Sequence, residues 1–192
     1  MIYFIDEFLS STVYDLASKD LLNSSFEAMV VGDKTFHVKF PSKDFQKNVT
    51  SRLESWEGAS IKNILGFFRT STDVLDTDWR IHSDLNINGQ KPDRAIVFFM
   101  SPRAEETQEL AGTALWEHVD YGHMLPSDTT NEKFDEVLLR DANDLTKWKL
   151  NTVIGHKENR CISYPSSYFH SKFPNRSWAE GRIVFVMFYS YA

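Results

Sequence analysis

The sequence predicts a mainly β (α+β) fold, a barrel or a double-sheet jelly roll, with supporting helices on its N-terminal side. Short apolar segments separated by turn residues recur from residue 61 to the C-terminus, a pattern typical of such folds. The fifteen Phe and seven Tyr residues suit the pleated surface of a sheet. A chain of 192 residues fits one domain. We therefore expect 1–192 to form a single domain, with helices and a hairpin over 1–60 and the β core over 61–191.

The first elements in chain order are a helix and a hairpin. The hydroxyl residues at 10–12 can cap a helix over roughly 13–22, whose apolar side chains fall on one face. The apolar stretches 26–31 and 35–40 follow, separated by Gly32-Asp33-Lys34. In the second stretch apolar and polar residues alternate, so we expect the two stretches to pair as a hairpin.

A second amphipathic helix is predicted from Ser42 to about Trp56. Its apolar residues lie four, four and three positions apart, which places them on one face: Phe45, Val49, Leu53 and Trp56.

The β core is predicted from a series of short apolar segments. They lie at 61–68, 79–87, 94–100, 113–118, 150–154, 159–164 and 182–191. The polar segment 119–149 interrupts the series and contains one predicted helix at 132–143. We interpret it as an insertion between strands, and such insertions often form a lid or a substrate loop.

Composition excludes or disfavours several classes. The net charge is −6 and the basic residues are scattered, so a nucleic-acid partner is not expected. Cys161 is the sole cysteine, which excludes an intrachain disulfide and a Cys-based zinc site, and we expect it in the core. The N-terminal residues lack the basic start of a signal peptide, and no apolar run reaches eighteen residues. We expect a cytoplasmic protein with no membrane partner.

The motif His82-Ser83-Asp84 is the first candidate site. Side chains alternate along a strand, so residues 82 and 84 project from one face and can bind a single metal ion. Alone, the pattern His-x-Asp is a weak signal, because it occurs by chance in many chains.

A second imidazole and a guanidinium follow late in the chain. His170 lies on a short predicted strand, and Arg182 begins the final apolar strand after an intervening loop. Two His and one carboxylate on Fe(II) leave three positions open, which suits a chelating 2-oxo acid and dioxygen. Arg182 offers a permanently charged fork for the far carboxylate of that acid, and Arg176, in the loop, is its rival.

Together these segments resemble the Fe(II)- and 2-oxoglutarate-dependent oxygenases, particularly their prolyl-hydroxylase-like branch. The resemblance covers roughly 61–191 and holds in order. Its parts are Phe67-Phe68-Arg69, His82-Ser83-Asp84, the strand at 94–101, the Gly-led strand at 112–116, the strand at 160–165, His170, and Gly181-Arg182. It implies a double-stranded β-helix, which is a jelly-roll or cupin-like fold, backed by N-terminal helices.

The resemblance also implies an activity and its cofactors. Fe(II) is expected on His82, Asp84 and His170, and Arg182 is expected to bind the C5 carboxylate of 2-oxoglutarate. Dioxygen is the oxidant, and ascorbate is a further candidate cofactor. The implied reaction hydroxylates a small molecule or a protein or peptide side chain, with succinate and CO2 as co-products. A carboxylate at Asp84 favours hydroxylation over halogenation.

Two other functions stay open at this point. One is a non-catalytic metal- or ligand-binding β-helix module, and the other is a cupin-like protein that uses another metal. The substrate and the oligomeric state do not follow from the sequence.

Several further residues are interpreted as structural. The imidazoles of His118 and His123, beside acidic residues, are expected to be solvated rather than to hold a second metal, and His37 and His156 are expected at the surface. We expect the indoles of Trp116, Trp148 and Trp178 to serve in packing.

Overall fold

The computed structural model describes residues 1–22, 24–32, 34–72, 74–75, 80–101, 111–174 and 181–192. The helices are α1 (Ser11–Leu22), α2 (Lys43–Glu57) and α3 (Asn131–Asp141), with a 3-10 turn at Leu145–Lys147. The strands are β1 (Tyr3–Ile5), β2 (Glu27–Val31), β3 (Lys34–Lys39), β4 (Ile61–Ser71), β5 (Arg94–Phe99), β6 (Gly112–His118), β7 (Trp148–Gly155), β8 (Cys161–Pro165), β9 (His170–Phe173) and β10 (Arg182–Tyr191). The three predicted helices and the predicted hairpin of β2 and β3 are confirmed.

The strands form two antiparallel sheets. The larger has seven strands in the order β1-β8-β5-β10-β4-β3-β2, and the smaller has the order β7-β6-β9. An apolar cluster contributed by both sheets includes Val97 and Val184 from the larger and Leu115 and Ile154 from the smaller. The two sheets therefore face each other across a shared interior, and the fold is the expected mainly β double-stranded β-helix.

Helix α2 covers the outer face of the larger sheet. The Ser42 hydroxyl accepts a hydrogen bond from the backbone N–H of Phe45 at 3.2 Å, and Gly58 ends the helix with a φ of 68°. The apolar face predicted for this helix is confirmed, because Phe45, Val49 and Leu53 are buried against the sheet. Each such side chain stabilises the fold by roughly 1.5–3 kcal/mol through removal from water.

Two predictions about strands need correction. Strand β1 was not expected, because three residues are too few to show a periodic pattern; it pairs with β8. The predicted strand at 79–87 is not continuous: residue 79 lies outside the described residues, and over 80–87 the pairing with β9 is a single bridge between His82 and His170. The Asp84 N–H instead binds the Ser166 carbonyl at 2.8 Å, so the backbone is satisfied without a regular ladder.

The segment between β6 and β7 is fixed to the smaller sheet by a buried hydrogen bond between side chains. His118 is 2% exposed and its Nε2 lies 3.0 Å from Oδ2 of Asp141, at the end of α3. The backbone N–H of Asp120 donates to the other ring nitrogen of His118. The expectation that His118 is solvated is therefore wrong. Each ring nitrogen has a hydrogen-bond partner, which offsets the cost of removing the imidazole from water.

Of the other expectations for single residues, the one for His156 is wrong and those for Trp116, Trp148 and Cys161 are confirmed. His156 was expected at the surface but is 4% exposed, and its Nε2 hydrogen-bonds the Ser101 carbonyl. Trp116 and Trp148 pack in a cluster under α3, and Cys161 is buried, as expected. Trp178 lies outside the described residues. None of the described helices is long and apolar enough to cross a membrane.

Candidate metal centre

The backbone of the first motif sets the direction of His82 and Asp84. His82 exchanges two hydrogen bonds with His170, from His82 N to His170 O at 3.0 Å and from His170 N to His82 O at 2.8 Å. Residues opposite each other in an antiparallel bridge point to the same face, so both imidazoles project together. Asp84 follows two residues later and, by alternation, points the same way.

The three side chains meet at one point. Their ligand atoms all lie within 4.8 Å of one another. Nε2 of His170 lies 3.3 Å from Oδ2 of Asp84, and Nε2 of His82 lies 3.9 Å from Oδ1 of the same carboxylate. Within the part of the chain that the structure describes, this is the one such group of His, Cys, Asp and Glu side chains. The structure thus brings together all three residues predicted as metal ligands.

Each imidazole is oriented by a backbone carbonyl. Nδ1 of His82 lies 3.0 Å from the Arg80 carbonyl, and Nδ1 of His170 lies 2.9 Å from the Tyr168 carbonyl. A carbonyl can only accept, so each Nδ1 carries the proton and donates it. Each Nε2 therefore carries the lone pair, on the side of the ring near the Asp84 carboxylate. Hydrogen bonds from Nδ1 to carbonyls are the usual means of orienting imidazoles at metal centres.

The charge states also suit a metal ion. Burial of the imidazole, reinforced by His170, lowers the pKa of His82 to about 4. Burial alone would raise the pKa of Asp84, but the neighbouring His170, His82 and Arg69 together hold that pKa below its usual value. At neutral pH His82 is thus neutral and Asp84 is ionised, the forms that bind a divalent cation. Two imidazole nitrogens and one carboxylate fit the facial donor set of non-haem Fe(II).

Arg182 lies in the interior on the facing sheet. It is 6% exposed, its Nη2 is 3.5 Å from the Thr113 hydroxyl, and its guanidinium lies 5.5 Å from the centre of the Phe99 ring. Thr113 is two residues from Leu115 on β6, and Leu115 pairs directly with His170. The guanidinium therefore lies along the same inner surface as the candidate metal ligands. Its rival Arg176 lies outside the described residues.

One aromatic residue beside the site was not predicted as part of it. The Tyr164 ring lies 4.8 Å from the His170 ring and is 1% exposed. Burial, with the Asp84 charge adding to it, raises the pKa of the Tyr164 hydroxyl well above its usual value. The signal was present in the sequence, since Tyr164 follows Ile162 at a spacing of two in an apolar strand and so shares its inward face.

Phe67 and Phe68, which are adjacent on β4, point to opposite faces of the larger sheet. Phe67 belongs to the interior cluster between the sheets, and Phe68 packs under α2 on the outer face. Phe67 therefore lines the interior, and Phe68 is a structural residue.

Comparison with known proteins gives a likeness of fold. No protein-family model matches the chain, and no curated protein sequence matches it. Among solved structures, the chain is similar to the non-haem alpha-ketoglutarate-dependent carbocyclase SnoK from nogalamycin biosynthesis, with a TM-score of 0.63 and 12% identity over 98% of this chain and 78% of that one.

Two further structures widen the comparison. HygX from Streptomyces hygroscopicus, solved with nickel, 2-oxoglutarate and hygromycin B bound, has a TM-score of 0.62 and 11% identity over 98% of this chain and 82% of that one. A prolyl hydroxylase from Trichoplax adhaerens, in complex with a hypoxia-inducible-factor peptide, has a TM-score of 0.56 and 11% identity over 98% of this chain and 83% of that one. The fold is that of the Fe(II)/2-oxoglutarate oxygenases, and the similarity does not single out one branch.

Proposed function

We propose that this chain is an Fe(II)- and 2-oxoglutarate-dependent dioxygenase that hydroxylates a small molecule or a peptide side chain. In the balanced reaction, 2-oxoglutarate, dioxygen and a C–H substrate give succinate, CO2 and the alcohol. The observation that carries the proposal is the convergence of His82, Asp84 and His170 within 4.8 Å. Both His side chains are also held in the tautomer that leaves Nε2 to bind a metal.

The metal would be held by Nε2 of His82, Nε2 of His170 and the Asp84 carboxylate. Iron bound there supplies the redox centre at which the 2-oxo acid and dioxygen react. The protein keeps both imidazoles in place through the Arg80 and Tyr168 carbonyls. Because Asp84 occupies its position as a carboxylate, it leaves no vacancy for halide, which favours hydroxylation.

Arg182 would bind the C5 carboxylate of 2-oxoglutarate. Its guanidinium is buried between β6 and β5, beside the Thr113 hydroxyl and the Phe99 ring. A planar, buried fork matches a carboxylate in geometry and charge. The buried Tyr164 ring, 4.8 Å from the His170 ring, adds an aromatic surface beside the candidate ligands.

The range of similar structures supports a broad substrate class. HygX was solved with a small molecule, hygromycin B, and the prolyl hydroxylase with a peptide. SnoK is described as a carbocyclase, so one fold serves more than one outcome of oxidation. We propose hydroxylation for this chain on the basis of the complete donor set, with a non-catalytic binding module as the alternative.

The test is a binding and turnover experiment on the purified protein. Under anaerobic conditions, Fe(II) and then 2-oxoglutarate are titrated, and the visible absorption of the chelate is recorded. Air is then admitted with a metabolite extract, and succinate and products heavier by one oxygen are measured. We expect one Fe(II) per chain, a 2-oxoglutarate-dependent absorption band and succinate release.

The outcomes separate the alternatives. Absence of Fe(II) binding contradicts the metal centre itself. Binding of both Fe(II) and 2-oxoglutarate without succinate, with or without extract, indicates the binding module. Asp84→Ala should abolish both steps, whereas Asp128→Ala, which removes an exposed carboxylate outside the site, should change neither.

A further inference from the structure

Glu117 lies on the interior face of the smaller sheet, close to the distal candidate ligand. Leu115 of β6 pairs with His170 and belongs to the apolar cluster between the sheets, whereas Trp116 packs in the separate cluster under α3. The extra residue of the bulge at this level is on β7, so side chains still alternate along β6. Glu117 therefore shares the face of Leu115 and lies roughly 7 Å further along the strand.

Glu117 and Arg182 lie on opposite sides of the contact between Leu115 and His170. Thr113, two residues before Leu115 on the same face, has its hydroxyl 3.5 Å from Nη2 of Arg182. A 2-oxo acid that is chelated at the metal and reaches Arg182 with its far carboxylate would extend towards Thr113. The space towards Glu117 is then left for the substrate.

The interior becomes more exposed to solvent towards Glu117. Arg182 is 6% exposed, and the side chains of His170 and His82 are 8% and 30% exposed. The side chains of Glu117 and His123 are 36% and 47% exposed. A molecule that arrives from solvent can therefore reach these two side chains and the candidate metal ligands from the same end.

Two contacts fix His123 beside the distal ligand. Its carbonyl accepts a hydrogen bond from the backbone N–H of Phe169 at 2.9 Å. Its ring is stacked on the Tyr168 ring, with the ring centres 5.5 Å apart and the planes 11° from parallel. The Tyr168 carbonyl is the group that orients the imidazole of His170. His123 and Tyr168 therefore present an aromatic surface on the short segment that carries the ligand.

The Glu117 carboxylate is held in place without being neutralised. Its Oε1 accepts a hydrogen bond from the Asn151 amide at 2.8 Å and lies 3.5 Å from Nε2 of His123. Both contacts use Oε1, and among the described residues Oε2 has no polar partner. Lys149, which is opposite Glu117 in the ladder, is exposed and forms no ion pair with it. An open carboxylate oxygen beside ring faces attracts positively charged nitrogen groups.

We propose that Glu117 binds a positively charged nitrogen group of the substrate, an ammonium or an amidinium, and so makes the enzyme selective for organic cations. This inference rests on the proposed oxygenase function and names the substrate class of that site. The rings of His123 and Tyr168 supply faces for the cation, and the Asn151 amide keeps the carboxylate in position.

The experiment compares matched ligands on nickel-loaded protein saturated with 2-oxoglutarate. One arm uses primary amines, including short peptides that contain lysine, against their N-acetyl derivatives. A second arm uses amidines against primary amides of the same shape. Binding is measured by calorimetry for the unmodified protein and for Glu117→Gln, Glu117→Lys and Glu132→Gln. Glu132 is an exposed residue of α3, and its substitution is the matched control.

We expect the unmodified protein to bind cations of at least one arm more tightly than their neutral partners, by roughly fivefold to thirtyfold. Glu117→Gln should reduce that preference to within about twofold, and Glu132→Gln should leave it unchanged. Glu117→Lys should reverse it, so that carboxylic acids bind more tightly than amidines of the same shape. The arm in which the preference appears identifies ammonium or amidinium.

Three results would overturn the proposal. They are binding of no cation in preference to its neutral partner, an undiminished preference in Glu117→Gln, and a loss of nickel or 2-oxoglutarate binding in Glu117→Gln. The last result would give Glu117 a structural role in the metal centre. Failure of the oxygenase function is seen separately, as absent nickel or 2-oxoglutarate binding in the unmodified protein before any cation is added.

Discussion

His82 and His170 are joined by two backbone hydrogen bonds, of 3.0 and 2.8 Å, across an isolated antiparallel bridge. Their ring centres are 4.4 Å apart. The main chain therefore sets the separation of the two Cα atoms, and the side-chain rotamers determine only the final positions of the two rings. A site fixed in this way is organised before an ion arrives, which favours tight binding.

The first prediction concerns the metal ligands. His170→Ala should abolish stoichiometric Fe(II) binding, because it removes one of three donors and the partner of the Asp84 carboxylate. Metal content after dialysis checks this. His123→Ala, which removes a half-exposed imidazole that lies near Glu117, is the control and should retain one ion per chain. Retention of full binding by His170→Ala contradicts the assigned ligand set.

The second prediction concerns Arg182. Arg182→Ala should weaken 2-oxoglutarate binding by roughly 2–5 kcal/mol, the usual cost of leaving a buried carboxylate unpaired. Calorimetric titration of the metal-loaded protein measures the change. Arg182→Lys should recover part of it, since the charge stays and the fork is lost. Unchanged affinity in Arg182→Ala, with metal content intact, would show that another residue binds the C5 carboxylate.

The third prediction concerns a buried carboxylate at the end of α2. Glu57 accepts hydrogen bonds from the hydroxyls of Tyr3, Tyr189 and Tyr191 at 2.7, 2.5 and 2.9 Å. The Nε of Arg94 lies 3.3 Å from Glu57, and their side chains are 8% and 5% exposed. Glu57→Gln should lower the free energy of unfolding by about 3 kcal/mol, because it leaves a buried guanidinium without its counter-charge.

Denaturant unfolding tests this prediction about Glu57. Glu27→Gln, at an exposed position of β2, should change stability by less than about 0.5 kcal/mol. Metal binding by Glu57→Gln should stay normal, since the Glu57 cluster lies outside the interior between the sheets. A stability loss no larger than that of the control would mean that the tyrosines alone maintain the cluster.

The fourth prediction concerns stability in acid. Hydrogen bonding from Arg160 lowers the pKa of Asp6 from 3.8 to about 2. A carboxylate with a depressed pKa stabilises the fold above its unfolded value, and that contribution is lost as pH falls towards 2. The stability difference between the unmodified protein and Asp6→Asn should thus be constant above about pH 5 and shrink between pH 4 and 2. Unfolding curves across that range check it, and a difference independent of pH would contradict the ion pair.

The fifth prediction concerns the segment between β6 and β7. His118→Phe should cost about 1–3 kcal/mol, because the ring volume is kept while the hydrogen bond to buried Asp141 is lost. Hydrogen exchange in α3 should accelerate, with β5 and β10 unaffected. Equal acceleration in all three elements would indicate global destabilisation instead of local release.

Much of the fold follows from short-range patterns in the sequence. The helix over Lys43–Glu57 forms because its apolar residues share a face and Ser42 caps it. The convergence of His82 and Asp84 on one side follows from strand-like alternation, even though the segment is not a regular strand. Local geometry was sufficient in both cases, so the sequence could reveal them.

Other features depend on contacts that local patterns do not encode. His118 is buried because Asp141 meets it from a helix 23 residues later. Arg69 alternates with Phe68, but which of the two faces the interior is decided by the pairing of β4 with β3 and β10. Tyr164 faces inward by alternation along β8, but its contact with His170 depends on how β8 and β9 pack across the interior.

Within the described residues, the segment that carries His82 and Asp84 pairs with β9 only at the His82–His170 bridge. An ion bound to all three ligands would therefore add a second link between two distant parts of the chain. An ion that binds only the folded form stabilises it in proportion to the logarithm of its free concentration. Proteases act on the open form, whose population falls as that stability rises. The lifetime of this protein in a cell would therefore follow the supply of iron.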